Sequence, residues 1–141
     1  MVRLSVEQKD WSTYDNLSIQ KFCLKWFKQE KFDLIHSHCI QVIGVGPLLA
    51  ARKMQIPYVI TIHDGWWLSP RQFLITKNGQ PVDIGDPLGH LTEKEKCELN
   101  PEKRRYLIKR DSVLRRTIAD SAACWAVSDS FAELHHKAGI F

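Results

Sequence analysis

From Asp15 onward the chain places Ile19, Phe22, Cys23, Trp26 and Phe27 on one side and Lys21, Lys25 and Lys28 on the other. The apolar spacing i, i+3, i+4, i+7, i+8 predicts an amphipathic helix. After Phe32-Asp33, the short apolar run Leu34-Ile35 predicts a strand reaching about His38. Gly44-Val45-Gly46-Pro47 opens a second helix, with Pro47 in the first turn, where its missing N–H leaves no bond unmade. Leu48, Leu49, Ala50, Ala51 and Met54 form its apolar surface, and Ile56-Pro57 ends it. Tyr58 to Ile62 is rich in β-branched residues and scarcely alternates, which predicts a strand covered on both faces of a parallel sheet.

Residues 64–91 hold Pro70, Asn78-Gly79, Pro81, Gly85, Pro87 and Gly89, too many breakers for one regular element. A connection of that length is expected to bind or cover something. A further helix starts at Leu99-Asn100-Pro101-Glu102 and turns Tyr106, Leu107, Val113, Leu114 and Ile118 inward as far as about Ala119. Ala122 to Val127 predicts a third strand. Ser128 or Ser130 caps a last helix, Ser130 with Glu133 as a capping box, while Phe131, Leu134 and Ala138 face inward and Gly139 stops it. The order implies an α/β fold: a partial Rossmann-like parallel sheet of about three strands with flanking helices. Residues 1–14 are expected to form an irregular start and 15–141 the domain.

At 141 residues, 44% apolar and 26% charged, the composition fits one globular domain and excludes disordered and collagen-like classes. No apolar run reaches the roughly 18 residues of a membrane span, and Met1-Val2-Arg3-Leu4 begins no signal-peptide core, so the chain reads as cytoplasmic. Cys23, Cys39, Cys97 and Cys124 form no CxxC pair, and neither a disulfide frame nor a zinc site is expected. The net charge of +4 concentrates in Lys103-Arg104-Arg105, Lys109-Arg110 and Arg115-Arg116. This is read as a solvated helix face, with peripheral contact to an anionic membrane or a phosphorylated ligand as the alternative. No nucleic-acid recognition motif accompanies it.

In parallel sheets ligands bind beyond the carboxyl ends of the strands. Here those ends carry His38, His63-Asp64 and Ser128, and the Trp66-Trp67 pair begins the long loop. His63 is the stronger candidate, because Asp64 follows it at the loop edge. The two side chains diverge on an extended backbone, so a direct His-Asp dyad is not expected. His36, His38 and His63 together suggest a metal, but no carboxylate or thiolate cluster accompanies them, and none is expected to bind. Gly44-Val45-Gly46 lacks the third glycine of GxGxxG and reads as a tight turn. Trp66-Trp67 suits either packing or a sugar-stacking platform. Arg71 offers planar donors for an anionic group.

The blocks Phe32 to His38, Gln55 to Arg71, Ala119 to Ser128 and Ala138-Gly139-Ile140 resemble the second half of the N-terminal domain of family 4 glycosyltransferases. The central block, Ile62-His63-Asp64-Gly65-Trp66-Trp67-Leu68-Ser69-Pro70-Arg71, is the specific part. The resemblance implies the two-domain GT-B architecture and sugar transfer with retention, from a nucleotide-diphospho-sugar to a sugar or lipid acceptor, without a cofactor. It also implies that His63 faces the interdomain cleft as the catalytic group. Asp64, Trp66 and Arg71 would line the acceptor side and Ser128 sits in a strand-end motif that turns toward the cleft or only caps the helix; with His38 these are the substrate-binding candidates. The family's glycine-rich opening loop and its C-terminal donor domain have no counterpart in this sequence, so the chain is expected to be a fragment, inactive without that domain or a partner chain. The competing reading is a non-catalytic binding module that docks through the Trp66-Trp67 loop and the basic helix. A histidine-based metal hydrolase is a third.

Overall fold

A computed structural model of the chain describes residues 12–140. Most of the irregular start expected for 1–14 lies outside those residues, and residues 13–16 precede the first helix without regular structure. The elements are α1 (Leu17–Glu30), β1 (Ile35–His38), α2 (Gly46–Lys53), β2 (Tyr58–Ile62), a 3₁₀ turn (Gly65–Trp67), α3 (Glu93–Glu98), α4 (Pro101–Ala119), β3 (Ala123–Ala126) and α5 (Asp129–Lys137).

Local chemistry explains the boundaries. Asn16 caps α1 by accepting from the Ile19 N–H at 3.2 Å, and Lys31 leaves the helix in the left-handed region with φ of 48°. Gly44 also has positive φ, and a Cβ there would lie 2.4 Å from the Tyr14 carbonyl. Glycine therefore lets Val45 N–H donate to that carbonyl at 2.8 Å, tying the segment before α1 to the start of α2. The last helix is capped by Ser128, whose hydroxyl accepts from Phe131 N–H; the Ser130-Glu133 alternative is not used. Helix α3, which no apolar periodicity announces, carries a full capping box between Thr92 and Glu95.

The sheet has the order β1-β2-β3, with both pairings parallel. Ile35 pairs with Tyr58 and His38 with Thr61, while Thr61 pairs with Trp125 and Ile62 with Ala126. Side chains alternate across a strand, so one face carries Ser37, Tyr58, Ile60, Ile62, Cys124 and Ala126. There the core closes, with Ile19, Cys23 and Phe27 of α1, Leu48, Ala50 and Ala51 of α2, and Leu114 and Ile118 of α4. Tyr58 pins α4 from below by donating its hydroxyl to the Thr117 carbonyl at 2.7 Å. That burial raises the Tyr58 pKa to about 12.

The opposite face differs from the two-sided cover expected of β2. Val59 is buried, yet its neighbours on that face are His36, His38, Thr61, Trp125 and Val127, of which Trp125 and Val127 are half exposed. The helices of the core cluster sit on one side, and the other side is open at both edge strands.

The long connection after β2 is folded rather than extended. A short antiparallel bridge joins Ile75 to Pro81 around Asn78-Gly79, and Asp83 N–H donates back to the Gly89 carbonyl. Gly89 passes so close to Asp83 that a Cβ would fall 2.1 Å from its carbonyl oxygen.

Candidate functional site

Two of the expected site residues come into direct contact. His38 closes β1 and His63 follows β2 on the same open face, and His38 Nδ1 lies 2.9 Å from His63 Nε2. One ring must donate and the other accept, so the pair fixes a relative tautomer. His36 stands behind them, its ring 4.1 Å from that of His38 between centroids, and its Nε2 2.9 Å from the Thr61 hydroxyl. Partial desolvation, with the charges of His36 and His63 adding to it, holds the His38 pKa below the ordinary imidazole value. Trp125 of β3 meets His36 edge-on at 5.8 Å. The result is an imidazole row ending at an exposed His63. Among the described residues no group of three or more His, Cys, Asp or Glu side chains is arranged to hold a metal ion.

The remaining candidates are placed apart from that pair. Asp64 turns into the backbone: its carboxylate accepts from Trp66 N–H at 2.9 Å to cap the 3₁₀ turn, and from the Gln41 amide. Trp66 is 1% exposed and Trp67 is buried beside it in a T-shaped contact. A side chain so enclosed supports the loop from beneath, and the sugar-stacking platform finds no surface at these rings. Ser128 is committed to capping α5. Arg71 is exposed at the far end of the turn, with its backbone N–H held by the buried Ser69 hydroxyl at 3.0 Å.

Three buried polar groups escaped the sequence reading. Arg110, assigned to a solvated basic face, is 2% exposed; its guanidinium lies 4.6 Å from the centre of the Trp66 ring and donates to the Trp66 carbonyl. That cation–π contact and hydrogen bond clamp the 3₁₀ turn onto α4. The signal was present in the spacing, since Arg110 lies three residues after Leu107 and four before Leu114, within the apolar stripe. His90, in the folded connection, is buried, and its pKa falls to about 4 through desolvation and then the charges of Arg110 and Arg71. His135 is fully buried in α5 against the Phe131 carbonyl at 2.8 Å. His135 lies four residues after Phe131 and three before Ala138, so the inward stripe of α5 carried its signal too, whereas His90 beside a glycine in the connection carries no pattern that foretells its burial.

Fold and site define an α/β domain whose polar groups gather at the carboxyl edge of a parallel sheet. The sequence profile of Glycosyltransferase Family 4 matches residues 5–140, and the chain belongs to that family. No curated protein and no solved structure matched. Among the described residues no helix is long and apolar enough to cross a membrane.

Proposed function

We propose that this chain supplies the acceptor-side wall of a sugar-transfer site, with His63 as the group that meets the donor. The observation that carries the reading is an exposed imidazole at the end of the central strand, held through one nitrogen by His38 at 2.9 Å. An imidazole so held presents its other nitrogen at a fixed angle. In transfer from a nucleotide-diphospho-sugar, negative charge builds on the departing diphosphate, and a preorganised N–H donor stabilises that charge more than the ground state. The reaction is transfer with retention to a sugar or lipid hydroxyl. The other wall, which grips the nucleotide, comes from residues outside these 141, and transfer waits on its closure over His63. Arg71 lies on the acceptor side, while Asp64 and Trp66 keep the loop in place beneath it.

The test joins the chain to the donor-binding domain of a family member and measures transfer from nucleotide-sugars. His63→Ala is expected to lower turnover on the order of 10²–10³-fold, the range found when one preorganised donor is lost. Turnover equal to the unmodified fusion would remove His63 from the mechanism.

A further inference from the structure

The folded connection buries Val82 and Leu88 but presents two other large apolar side chains to solvent. After the 3₁₀ turn, Arg71, Phe73, Ile75 and Lys77 are exposed, while Gln72, Leu74 and Thr76 between them are half-buried. Phe73 is 78% exposed, the highest value for a large apolar side chain among the described residues, and Ile75 is 52% exposed. One exposed apolar residue is ordinary, whereas an aromatic and an aliphatic side chain in one outward row mark a contact surface.

The row is held in place from both sides. Gly65 N–H donates to the Gln72 carbonyl at 2.8 Å, and Val82 N–H to the Leu74 carbonyl at 2.9 Å. The bridge from Ile75 to Pro81 closes a hairpin around Asn78-Gly79, with Thr76 N–H donating to the Gln80 carbonyl at 2.7 Å. Leu74 has a positive φ of 56°, a conformation few residues with a side chain adopt. Its side chain lies against Gly65, where a Cβ would fall 2.5 Å from it. Leu74 thus fastens the hairpin to the 3₁₀ turn and leaves Phe73 and Ile75 pointing away, to be covered by a partner.

The charge and the size of the row select the partner. Residues 71–82 carry Arg71 and Lys77 and no carboxylate. Glu95 feels both cations, but its carboxylate is tied to the Thr92 N–H at 2.9 Å and to the Thr92 hydroxyl at 3.0 Å. Phe73 offers about 150–250 Å² of apolar surface and Ile75 less, well short of the roughly 1,200 Å² that a stable protein interface buries. A bilayer needs no matching shape: apolar side chains enter the acyl boundary while flanking cations meet anionic headgroups. The basic helix α4 is less suited to that contact. Its Arg110 is buried on the Trp66 ring, and Arg115 and Arg116 are paired with Asp111 and Asp120.

We propose that the hairpin 71–81 docks this chain on an anionic lipid surface, inserting Phe73 and Ile75 at the acyl boundary with Arg71 and Lys77 against the headgroups. Two side chains and two charges make a weak, reversible attachment that salt loosens. No residue of the histidine row takes part, so the docking holds whether or not the transfer reading does.

The experiment sediments the full chain with vesicles of equal parts phosphatidylcholine and phosphatidylglycerol, and with vesicles of phosphatidylcholine alone. Binding is expected to the first and to fall with added salt. Phe73→Ser is expected to weaken it about 10-fold or more, and Phe73→Leu, which stays apolar, to retain most of it. Lys77→Gln is expected to weaken it about 5-fold at low salt, the effect of one cation beside an anionic bilayer. Arg105→Gln, on the exposed side of α4, and His63→Ala are expected to bind like the unmodified chain. Because Phe73 is exposed, its urea unfolding midpoint should not move in Phe73→Ser, which separates lost docking from lost folding. Absence of binding to the anionic vesicles, or binding that Phe73→Ser leaves intact and Arg105→Gln weakens, would overturn the proposal. So would self-association without lipid that Phe73→Ser abolishes, since the row would then serve a second copy of the chain.

Discussion

His38 and His63 share one hydrogen bond and one electrostatic field, and the two effects can be separated. Desolvation is the larger cause of the low His38 pKa, and the neighbouring imidazoles add to it. Replacing His63 by glutamine keeps a hydrogen-bonding side chain but removes its charge. The His38 midpoint is therefore expected to move up in His63→Gln, while remaining below the ordinary value near 6.5 because desolvation persists. An NMR pH titration of His38 in the two proteins reads this directly, and an unchanged midpoint would show that the rings do not act on each other. Of this site, His63 and His38 were legible because both end apolar runs, and strand ends in parallel sheets converge. Their pairing was not legible, because it depends on the register that sets His38 beside Thr61. The sequence could not tell Trp66 the platform from Trp66 the support, since a tryptophan suits either; the guanidinium of Arg110 settles it by covering the ring.

Helix α4 shows what an element adds to single residues. Its inner stripe runs through Leu107, Arg110, Leu114 and Ile118, all buried, and this one surface packs against the 3₁₀ turn and the sheet. Leu114 is fully enclosed in the core. Leu114→Ala leaves a void that its neighbours fill only partly, and is expected to destabilise the chain by about 2–5 kcal/mol. Lys109→Ala, on the exposed side of the same helix, is expected to stay within about 0.5 kcal/mol. Urea unfolding midpoints of the two variants compare them, and similar losses would mean that α4 does not carry the core. The helices and strands were largely readable from periodicity, because 3.6-residue and short apolar patterns survive in α1, β2 and α4. The folded connection was not, as its shape depends on hydrogen bonds such as Asp83 to Gly89 and on a close approach that only glycine allows. The open face of the sheet was not legible either: His36, Ser37 and His38 are exposed, buried and exposed in the structure, but all three are polar and show no apolar alternation in the sequence. The continuous apolar run of β2 pointed the other way, to a strand covered on both faces.

Across the whole molecule the imidazoles with depressed pKa values, two of them buried, impose a direction on stability. His90, His135 and His38 all have folded-state pKa values below the ordinary one: His90 at about 4 from desolvation and nearby arginines, His135 from burial partly offset by the Phe131 carbonyl and Asp64, and His38 mainly from desolvation. Below about pH 6.5 the unfolded chain binds protons that these folded groups refuse, so stability falls as pH is lowered toward the folded values. Carboxylates act in a lower window. Asp86 and Glu95, with depressed pKa values, contribute stability above their unfolded values near 4 that is lost only on further acidification. Between about pH 6.5 and 4.5 the histidines therefore dominate the slope. His90 alone, shifted from 6.5 to about 4, accounts for an upper limit of about 3 kcal/mol at 1.36 kcal/mol per pH unit. The unfolding free energy from urea titrations is expected to decline through that window in the unmodified chain, and His90→Gln is expected to flatten most of the decline. A slope that is equally steep in His90→Gln would place the proton uptake on other groups.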